Sequence, residues 1–209
     1  MPLQSLFQEP LTFIIWALAV IFAITVHEFS HALAGHLQGD KTAEHAGRLT
    51  LNPLSHIDLL GFLMLILVGF GWGRPVPFNP FALKNKKLGP TLVGLAGPLA
   101  NLISVIIFAL ILRFIILSTD LGQQNLLFQF VVSLIQVNLV LMVFNLIPIP
   151  PLDGSKILYS LLPYSQQNVI FFLERYGPYL LLALVFLGGS LLSTVFIYLY
   201  QLVIGLALL

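Results

Sequence analysis

The sequence predicts an all-α polytopic membrane protein, with three core transmembrane helices, further C-terminal span or spans, and a re-entrant segment after the first helix. Of its 209 residues, 58% are hydrophobic and only 8% are charged, a composition far outside that of soluble domains. Apolar runs long enough to cross a bilayer recur along the chain. The core spans are predicted at residues 10–39, 90–117 and 126–147, and a last apolar run covers residues 178–209.

The domain organisation follows from these runs. We interpret residues 1–209 as one membrane-embedded domain, with a core at residues 10–163 and a C-terminal helical region at residues 164–209. Gly188 and Gly189 interrupt the last apolar run, so it forms either one long tilted span or a broken pair of helices.

The start of the chain also has features of a secretory signal peptide. Its apolar run is followed by Ala32-Leu33-Ala34, which resembles a small-residue cleavage site. However, residues 1–10 contain no Lys or Arg, and ionisable residues would occupy the cleavage region. The pattern therefore favours a retained span.

Charge and cysteine content exclude several classes of function. A net charge of +1 leaves no basic face of the size that nucleic acid requires, so we expect no nucleic-acid partner. The chain has no cysteine, which excludes disulfides and thiolate metal sites. Any zinc must therefore be held by nitrogen and oxygen.

The apolar segment at residues 57–70 decides the topology. It has 14 residues, too few for an ordinary span, and this length is typical of a re-entrant segment. If it enters and returns, the ends of the first and third core helices lie on one side of the membrane. That side then also collects most basic residues, namely Lys41, Arg48, Arg74, Lys84, Lys86, Lys87, Lys156 and Arg175, with only Arg113 opposite. Such an asymmetry indicates a cytoplasmic face, so we expect a multi-pass protein of the cell membrane with its functional end nearer the cytoplasm and its amino terminus outside.

A cluster of ionisable residues lies near the end of the first predicted span. His27 and His31 are four residues apart, so on a helix both imidazoles face one side and can bind one metal ion. Glu28 lies beside them, and a glutamate there can take a proton from water and pass it to a leaving amine. Each ionisable group inside a membrane segment raises the free energy of membrane insertion by about 2.5–3.5 kcal/mol. Chance occurrence of this pattern on an ordinary helix is therefore a poor explanation. The cluster predicts a zinc cofactor and peptidase chemistry.

A catalytic zinc site needs a third protein ligand and one open position. The candidates are His36, Glu44, His45, His56, Asp58 and Asp153. We assign Asp153, because it follows a proline-broken helix end, and irregular backbone at membrane depth must line protein or a water-filled cavity. The alternative role for Asp153 is an N-cap of the helix that follows.

Three motifs follow one another along the chain. They are His27-Glu28-Phe29-Ser30-His31, then Gly94-Leu95-Ala96-Gly97-Pro98-Leu99-Ala100-Asn101, and then Asn145-Leu146-Ile147-Pro148-Ile149-Pro150-Pro151-Leu152-Asp153-Gly154. Together they resemble the site-2 protease family of intramembrane zinc metalloproteases. The resemblance extends to about residue 163, and the chain looks like a minimal member without a PDZ domain.

The resemblance implies roles for particular residues. It implies that His27, His31 and Asp153 bind zinc, that Glu28 is the general base and acid, and that Asn145 orients the substrate or polarises the scissile carbonyl. It also implies a strand-like re-entrant element beside the substrate, here assigned to residues 60–78. Substrates of this family are transmembrane helices cut within or near the bilayer. The implied partners are therefore membrane-protein substrates and the lipid bilayer.

Water and substrate must both reach a site below the membrane surface. Polar side chains are available to line a passage at Thr25, Ser30, His56, Asn101 and Asn145. Among these, we assign Asn101 and His56 to substrate binding. A substrate helix must unwind before cleavage, and we expect the Gly/Pro-rich stretch that begins at Gly69 to hold the extended chain by β-addition.

The predicted function is a zinc-dependent intramembrane metalloendopeptidase. The alternative is a membrane transporter or channel for metal ions or protons, because intramembrane His, Glu and Asp also mark ion pathways. A single predicted metal cluster and the lack of an inverted sequence repeat favour the peptidase. A catalytically silent scaffold would keep the fold but would not need Glu28.

Overall fold

The computed structural model describes residues 7–69 and 71–208, and in this part the regular elements are helices joined by loops. The helices, numbered in chain order, are α1 (Pro10–Leu37), α2 (Thr42–His45), α3 (Leu59–Val68), α4 (Gly89–Ser118), α5 (Leu126–Asn145), α6 (Gly154–Leu161), α7 (Gln167–Leu187) and α8 (Gly189–Leu208). Short 3-10 turns lie at Pro53–Ser55, Pro80–Ala82 and Tyr164–Gln166.

Four of these helices, α1, α4, α5 and α7, are long and apolar enough to cross a membrane. This is the architecture of a multi-pass membrane protein, and the predicted core spans are confirmed as α1, α4 and α5. The last apolar run forms a broken pair, because α7 ends at Leu187 and α8 begins at Gly189. Pro178 lies inside α7, a position that membrane helices tolerate.

Helices α1, α4 and α5 pack against one another as the core bundle. A buried apolar cluster joins α4 to α5, through Val105, Leu112, Ile115, Val131, Ile135 and Leu139. Helix α8 covers this cluster with partly buried side chains such as Phe196 and Val203. Helix α6 packs on α4, which brings the residues that follow α5 back to the core.

The prediction of a strand-like segment at residues 60–78 is wrong. Its first half is helix α3, which begins where the Asp58 carboxylate accepts a hydrogen bond from the Gly61 N–H at 2.8 Å and ends at Gly69, with a φ of 82°. Its second half is extended, but in the described residues it forms only one isolated antiparallel bridge, between Ile57 and Gly73. The leucine-rich run favours helix, and Pro75 and the prolines after it cannot donate to a strand ladder.

The residues at the two ends of the segment 57–73 nevertheless lie together. The Arg74 N–H donates to the His56 carbonyl at 2.8 Å, so the chain leaves and returns at one place. The returning chain packs tightly on α3, because a Cβ at Gly61 would lie 2.1 Å from the Trp72 carbonyl oxygen.

Candidate metal centre

Two histidines and one aspartate converge at one point inside the protein. His27 and His31 lie one turn apart on α1, and Asp153 lies just before α6. The Nε2 atoms of His27 and His31 lie 3.1 Å and 3.0 Å from Asp153 Oδ2 and 3.0 Å from each other. All three residues are at least nine-tenths buried. The structure thus brings together the three residues that the sequence predicts as metal ligands.

The hydrogen bonds behind the imidazoles fix which ring nitrogen carries the proton. His27 Nδ1 lies 2.6 Å from Asn101 Oδ1, and His31 Nδ1 lies 2.6 Å from the Val93 carbonyl oxygen. The Asn101 amide is oriented because its Nδ2 donates to Asn138 Oδ1 at 2.8 Å and to the Ala23 carbonyl at 3.2 Å. Both Nδ1 atoms therefore face acceptors and must donate. In the neutral rings, the Nε2 atoms then carry the lone pairs.

These three groups fit a divalent zinc ion. Two lone-pair nitrogens and a carboxylate oxygen, aimed at one another in a buried place, would repel unless a cation compensates them. Zinc–nitrogen bonds of about 2.0–2.1 Å in a tetrahedral arrangement place ligand atoms about 3.3 Å apart, close to the observed separations. The His27, His31 and Asp153 ligand atoms all lie within 4.8 Å of one another. The donor set therefore suits zinc and leaves a fourth position open.

The ionised form of Asp153 is favoured by its neighbours. Burial by itself would raise the pKa of this carboxyl group. The Lys156 ammonium, which lies 2.8 Å from Asp153 Oδ1, opposes this effect of burial and favours the charged carboxylate. Asp153 does not cap α6 with its side chain, so the alternative role as an N-cap is not supported.

One face of α4 shapes this centre. A Cβ at Gly97 would lie 2.4 Å from His31 Nε2 and 2.7 Å from His27 Nε2, so only glycine lets α4 pass the imidazoles. One turn on either side, Val93 and Asn101 bind the two Nδ1 atoms. We call these residues, together with His27, His31 and Asp153, the ligand side of the site.

The opposite wall, which we call the base side, consists of Glu28 and the extended residues 73–79. Glu28 Oε2 accepts a hydrogen bond from the Val76 N–H at 3.0 Å. In the sequence Pro75-Val76-Pro77, that N–H is the only one present. The buried Arg48 guanidinium donates to the carbonyls of Arg74 and Pro75.

These contacts argue against β-addition at this part of the chain. The Val76 N–H and the carbonyls of residues 74 and 75 already have partners, and the flanking prolines have no N–H to give. The segment is also fixed at its far end, where the buried Asp40 carboxylate accepts a hydrogen bond from the Asn79 N–H at 2.6 Å. We therefore interpret residues 73–79 as a support for Glu28.

A cavity of about 820 Å³ opens between the two sides. Glu28 and the three candidate ligands line it, together with α3, Trp72 and apolar side chains of α5 and α8. Asn145, at the end of α5, also lines this cavity, while its Nδ2 donates to the Leu141 carbonyl at 3.0 Å. Its position is compatible with the role implied by the resemblance.

The assignments of Asn101 and His56 to substrate binding need correction. Asn101 is fully buried behind His27 and does not line the cavity, so it supports a ligand instead. His56 is also fully buried, and its Nε2 lies 2.7 Å from the Thr50 carbonyl oxygen, which ties it to the loop before α3. Neither side chain is accessible from the cavity in the described residues.

The other polar candidates have local partners. His36 Nδ1 lies 3.2 Å from Glu44 Oε2, and Asp58 caps α3. Thr25 and Ser30 donate to carbonyls of their own helix, those of Ile21 and Val26. None of these side chains takes part in the His27, His31 and Asp153 group.

Comparison with known proteins gives a consistent result. The profile of Peptidase family M50 matches residues 114–188, which include Asp153. "Putative zinc metalloprotease YwhC" of Bacillus subtilis (strain 168) is 40% identical over 166 residues, which cover 77% of this chain and 74% of that protein. "Putative zinc metalloprotease Rip2" of Mycolicibacterium smegmatis (strain ATCC 700084 / mc(2)155) is 30% identical over 165 residues, which cover 75% of this chain and 61% of that protein. No solved structure matches the chain.

The family assignment rests on two independent observations. The match to YwhC extends over about three quarters of both chains, and the buried group of His27, His31 and Asp153 has the ligands that a zinc hydrolase requires. The chain therefore belongs to Peptidase family M50, the site-2 protease family of zinc metalloproteases.

Proposed function

We propose that this protein is a zinc-dependent intramembrane endopeptidase, which hydrolyses peptide bonds within or near the transmembrane helices of membrane-protein substrates. The observation that carries the proposal is the convergence of His27 Nε2, His31 Nε2 and Asp153 Oδ2 within 3.1 Å, in a cavity that Glu28 also lines. A transporter of metal ions or protons is not favoured, because the similar proteins YwhC and Rip2 both bear the name "Putative zinc metalloprotease".

The chemistry divides between the ligand side and the base side. Bound zinc would supply a Lewis acid that polarises the scissile carbonyl and lowers the pKa of water. Glu28 takes a proton from the attacking water as a new C–O bond forms. It then gives that proton to the amide nitrogen as the C–N bond breaks, so that a carboxylic acid and an amine are released. The Val76 N–H holds Oε2 of Glu28, which leaves Oε1 to carry the proton.

The cavity supports a polypeptide from the membrane as substrate. Its walls are mainly apolar, with Trp16, Phe62 and Leu65 among them, and helix α3 stands at its edge. A helix hides its peptide bonds in its own hydrogen bonds, so the substrate has to unwind locally at the site. Asn145 lines this cavity, and we assign it to hydrogen-bond an unwound stretch of substrate.

We place the protein in the cell membrane, with the metal centre nearer the cytoplasmic side. The support is the distribution of Lys and Arg, which lie mostly in the loops at the end that contains Asp153. Its partners are then transmembrane-helix substrates and the surrounding lipid, and a net charge of +1 does not favour nucleic acid.

The proposal is tested by separating metal binding from turnover. The purified protein in nanodiscs is given a model transmembrane helix, and zinc content is measured beside cleavage. We expect Glu28→Gln to retain zinc and to lose cleavage by about a hundredfold or more. Glu44→Gln, a change at an acid that pairs with His36 outside the cavity, is the matched control and should keep both. Full cleavage by Glu28→Gln would contradict the assigned role.

A further inference from the structure

The two oxygens of Asp153 have different partners. Oδ2 faces the imidazoles of His27 and His31, whereas Oδ1 accepts a hydrogen bond from the Lys156 ammonium at 2.8 Å. Lys156 lies one turn further along, on α6, so the two side chains meet through local helix geometry. The third ligand thus offers one oxygen to the metal position while a cation holds the other.

This ion pair differs from an ordinary pair on a helix surface. Exposed pairs of this kind are worth little, because water screens them and both side chains lose freedom. Here the Asp153 side chain is only 8% exposed and that of Lys156 only 28%. A charge-assisted hydrogen bond in such surroundings is stronger than one in water.

The Lys156 side chain is also held in place along its length. A Cβ at Gly94 would lie 3.0 Å from both Cβ and Cδ of Lys156, so glycine at this position of α4 makes room for the lysine stem. On another side, the Phe78 ring centre lies 5.3 Å from the ammonium, within the range of a cation–π contact. Packing on both sides restricts the lysine and therefore directs its ammonium at Oδ1.

A second cavity explains how a lysine is tolerated so close to the metal centre. This cavity, of about 740 Å³, is bounded by α6, α7 and the start of α4. Lys156 lines both cavities and so stands between them. Polar groups in the second cavity, including Ser155 and Glu174, provide surroundings in which the remaining ammonium hydrogens can be solvated.

We propose that Lys156 is the positioning residue of the third metal ligand. By holding Oδ1, it stops the carboxylate from turning about its Cβ–Cγ bond and keeps Oδ2 directed at the two imidazoles. Hydrogen-bond partners behind metal ligands commonly contribute a factor of about 10 to 100 in metal affinity. The inference rests on the zinc site of the proposed function, and it adds a residue that none of the three sequence motifs contains.

The test measures zinc affinity, which does not depend on turnover. The full chain is purified in detergent, and zinc is titrated in competition with a chromophoric chelator. We expect Lys156→Met, which keeps an apolar stem but no donor, to weaken zinc binding by about 10- to 100-fold. Lys156→Arg restores a charged donor and should stay within about threefold of wild type. Lys87→Met removes a lysine from the wall of the same second cavity and should bind zinc as wild type does.

Two further measurements distinguish positioning from a structural role. Thermal unfolding is measured with and without metal, and zinc should raise the unfolding temperature of wild type more than that of Lys156→Met, whatever the stability of the two metal-free proteins. Lys156→Gln, which keeps a donor without charge, should give an intermediate affinity, and it serves as the test if the methionine variant does not fold. Wild-type zinc affinity in Lys156→Met or Lys156→Gln would overturn the proposal. Absence of zinc binding by wild type would instead contradict the zinc site itself.

Discussion

The ligand side and the base side face each other across one cavity, but they are built differently. On the ligand side, Val93, Gly97 and Asn101 of α4 fit against the imidazoles, so one rigid helix sets the geometry. On the base side, Glu28 depends on the Val76 N–H in an extended segment. If the proposed function is correct, separate parts of the chain support metal binding and proton transfer. Changes on one side should therefore affect one property and leave the other in place.

The largest effect is expected at Gly97. The methyl group of Gly97→Ala would lie within 2.7 Å of both His27 Nε2 and His31 Nε2. Either the imidazoles or α4 must move, so we expect zinc affinity to fall by about a hundredfold or more. Gly122→Ala is the matched control, because a Cβ there meets nothing within 4 Å. Equal zinc affinity in the two variants would contradict the close packing of α4 on the ligands.

The next prediction distinguishes two asparagines, of which Asn101 lies behind a candidate ligand and Asn145 lies in the cavity wall. Asn101→Leu keeps the approximate shape but removes the acceptor behind His27 Nδ1, so we expect zinc binding to weaken by about 10- to 100-fold. Asn145→Leu changes a residue of the cavity wall and should retain zinc while slowing cleavage. Chelator competition and cleavage of a model transmembrane helix measure the two properties. If Asn101→Leu kept zinc and slowed cleavage while Asn145→Leu lost zinc, the prediction that Asn101 binds substrate would be supported instead.

A smaller effect, confined to turnover, is expected on the base side. Val76→Pro removes the N–H that donates a hydrogen bond to Glu28. The segment around Val76 is already extended and flanked by prolines, so proline should fit there. A misplaced general base should lower kcat by about tenfold or more, with zinc content unchanged. Val76→Ala keeps the N–H and should retain wild-type kcat. If the proline variant lost zinc as well, the two sides would not be independent.

Much of the ligand side could be predicted from sequence, because its geometry is periodic. The four-residue spacing of His27 and His31 puts both on one helix face, and Gly94, Gly97 and Asn101 share a face of α4 in the same way. The polar break in an apolar chain indicated Asp153. Helical repeats and the cost of charge in a membrane are local properties of the sequence, so they can be identified without coordinates.

The other features of the site could not be predicted from sequence, because they depend on contacts between distant parts of the chain. The resemblance implied a strand-like element at residues 60–78, but neither it nor the sequence specifies that Val76 meets Glu28 or that Arg48 binds the carbonyls of Arg74 and Pro75. Asn101 was predicted to bind substrate, because polarity alone does not distinguish a cavity wall from a position behind a ligand. Lys156 had a usable signal, its spacing of three residues from Asp153, which gained meaning only once Asp153 was placed.

Metal analysis of wild type and Asp153→Ala tests the central claim most directly. Asp153 is separated from His31 by 122 positions in sequence, yet their ligand atoms lie 3.0 Å apart. If the three side chains share one ion, purified wild type should contain about one zinc per chain, and Asp153→Ala should contain almost none while remaining folded. Equal zinc content in both proteins would contradict the account, because it would show that the ion is held without this carboxylate.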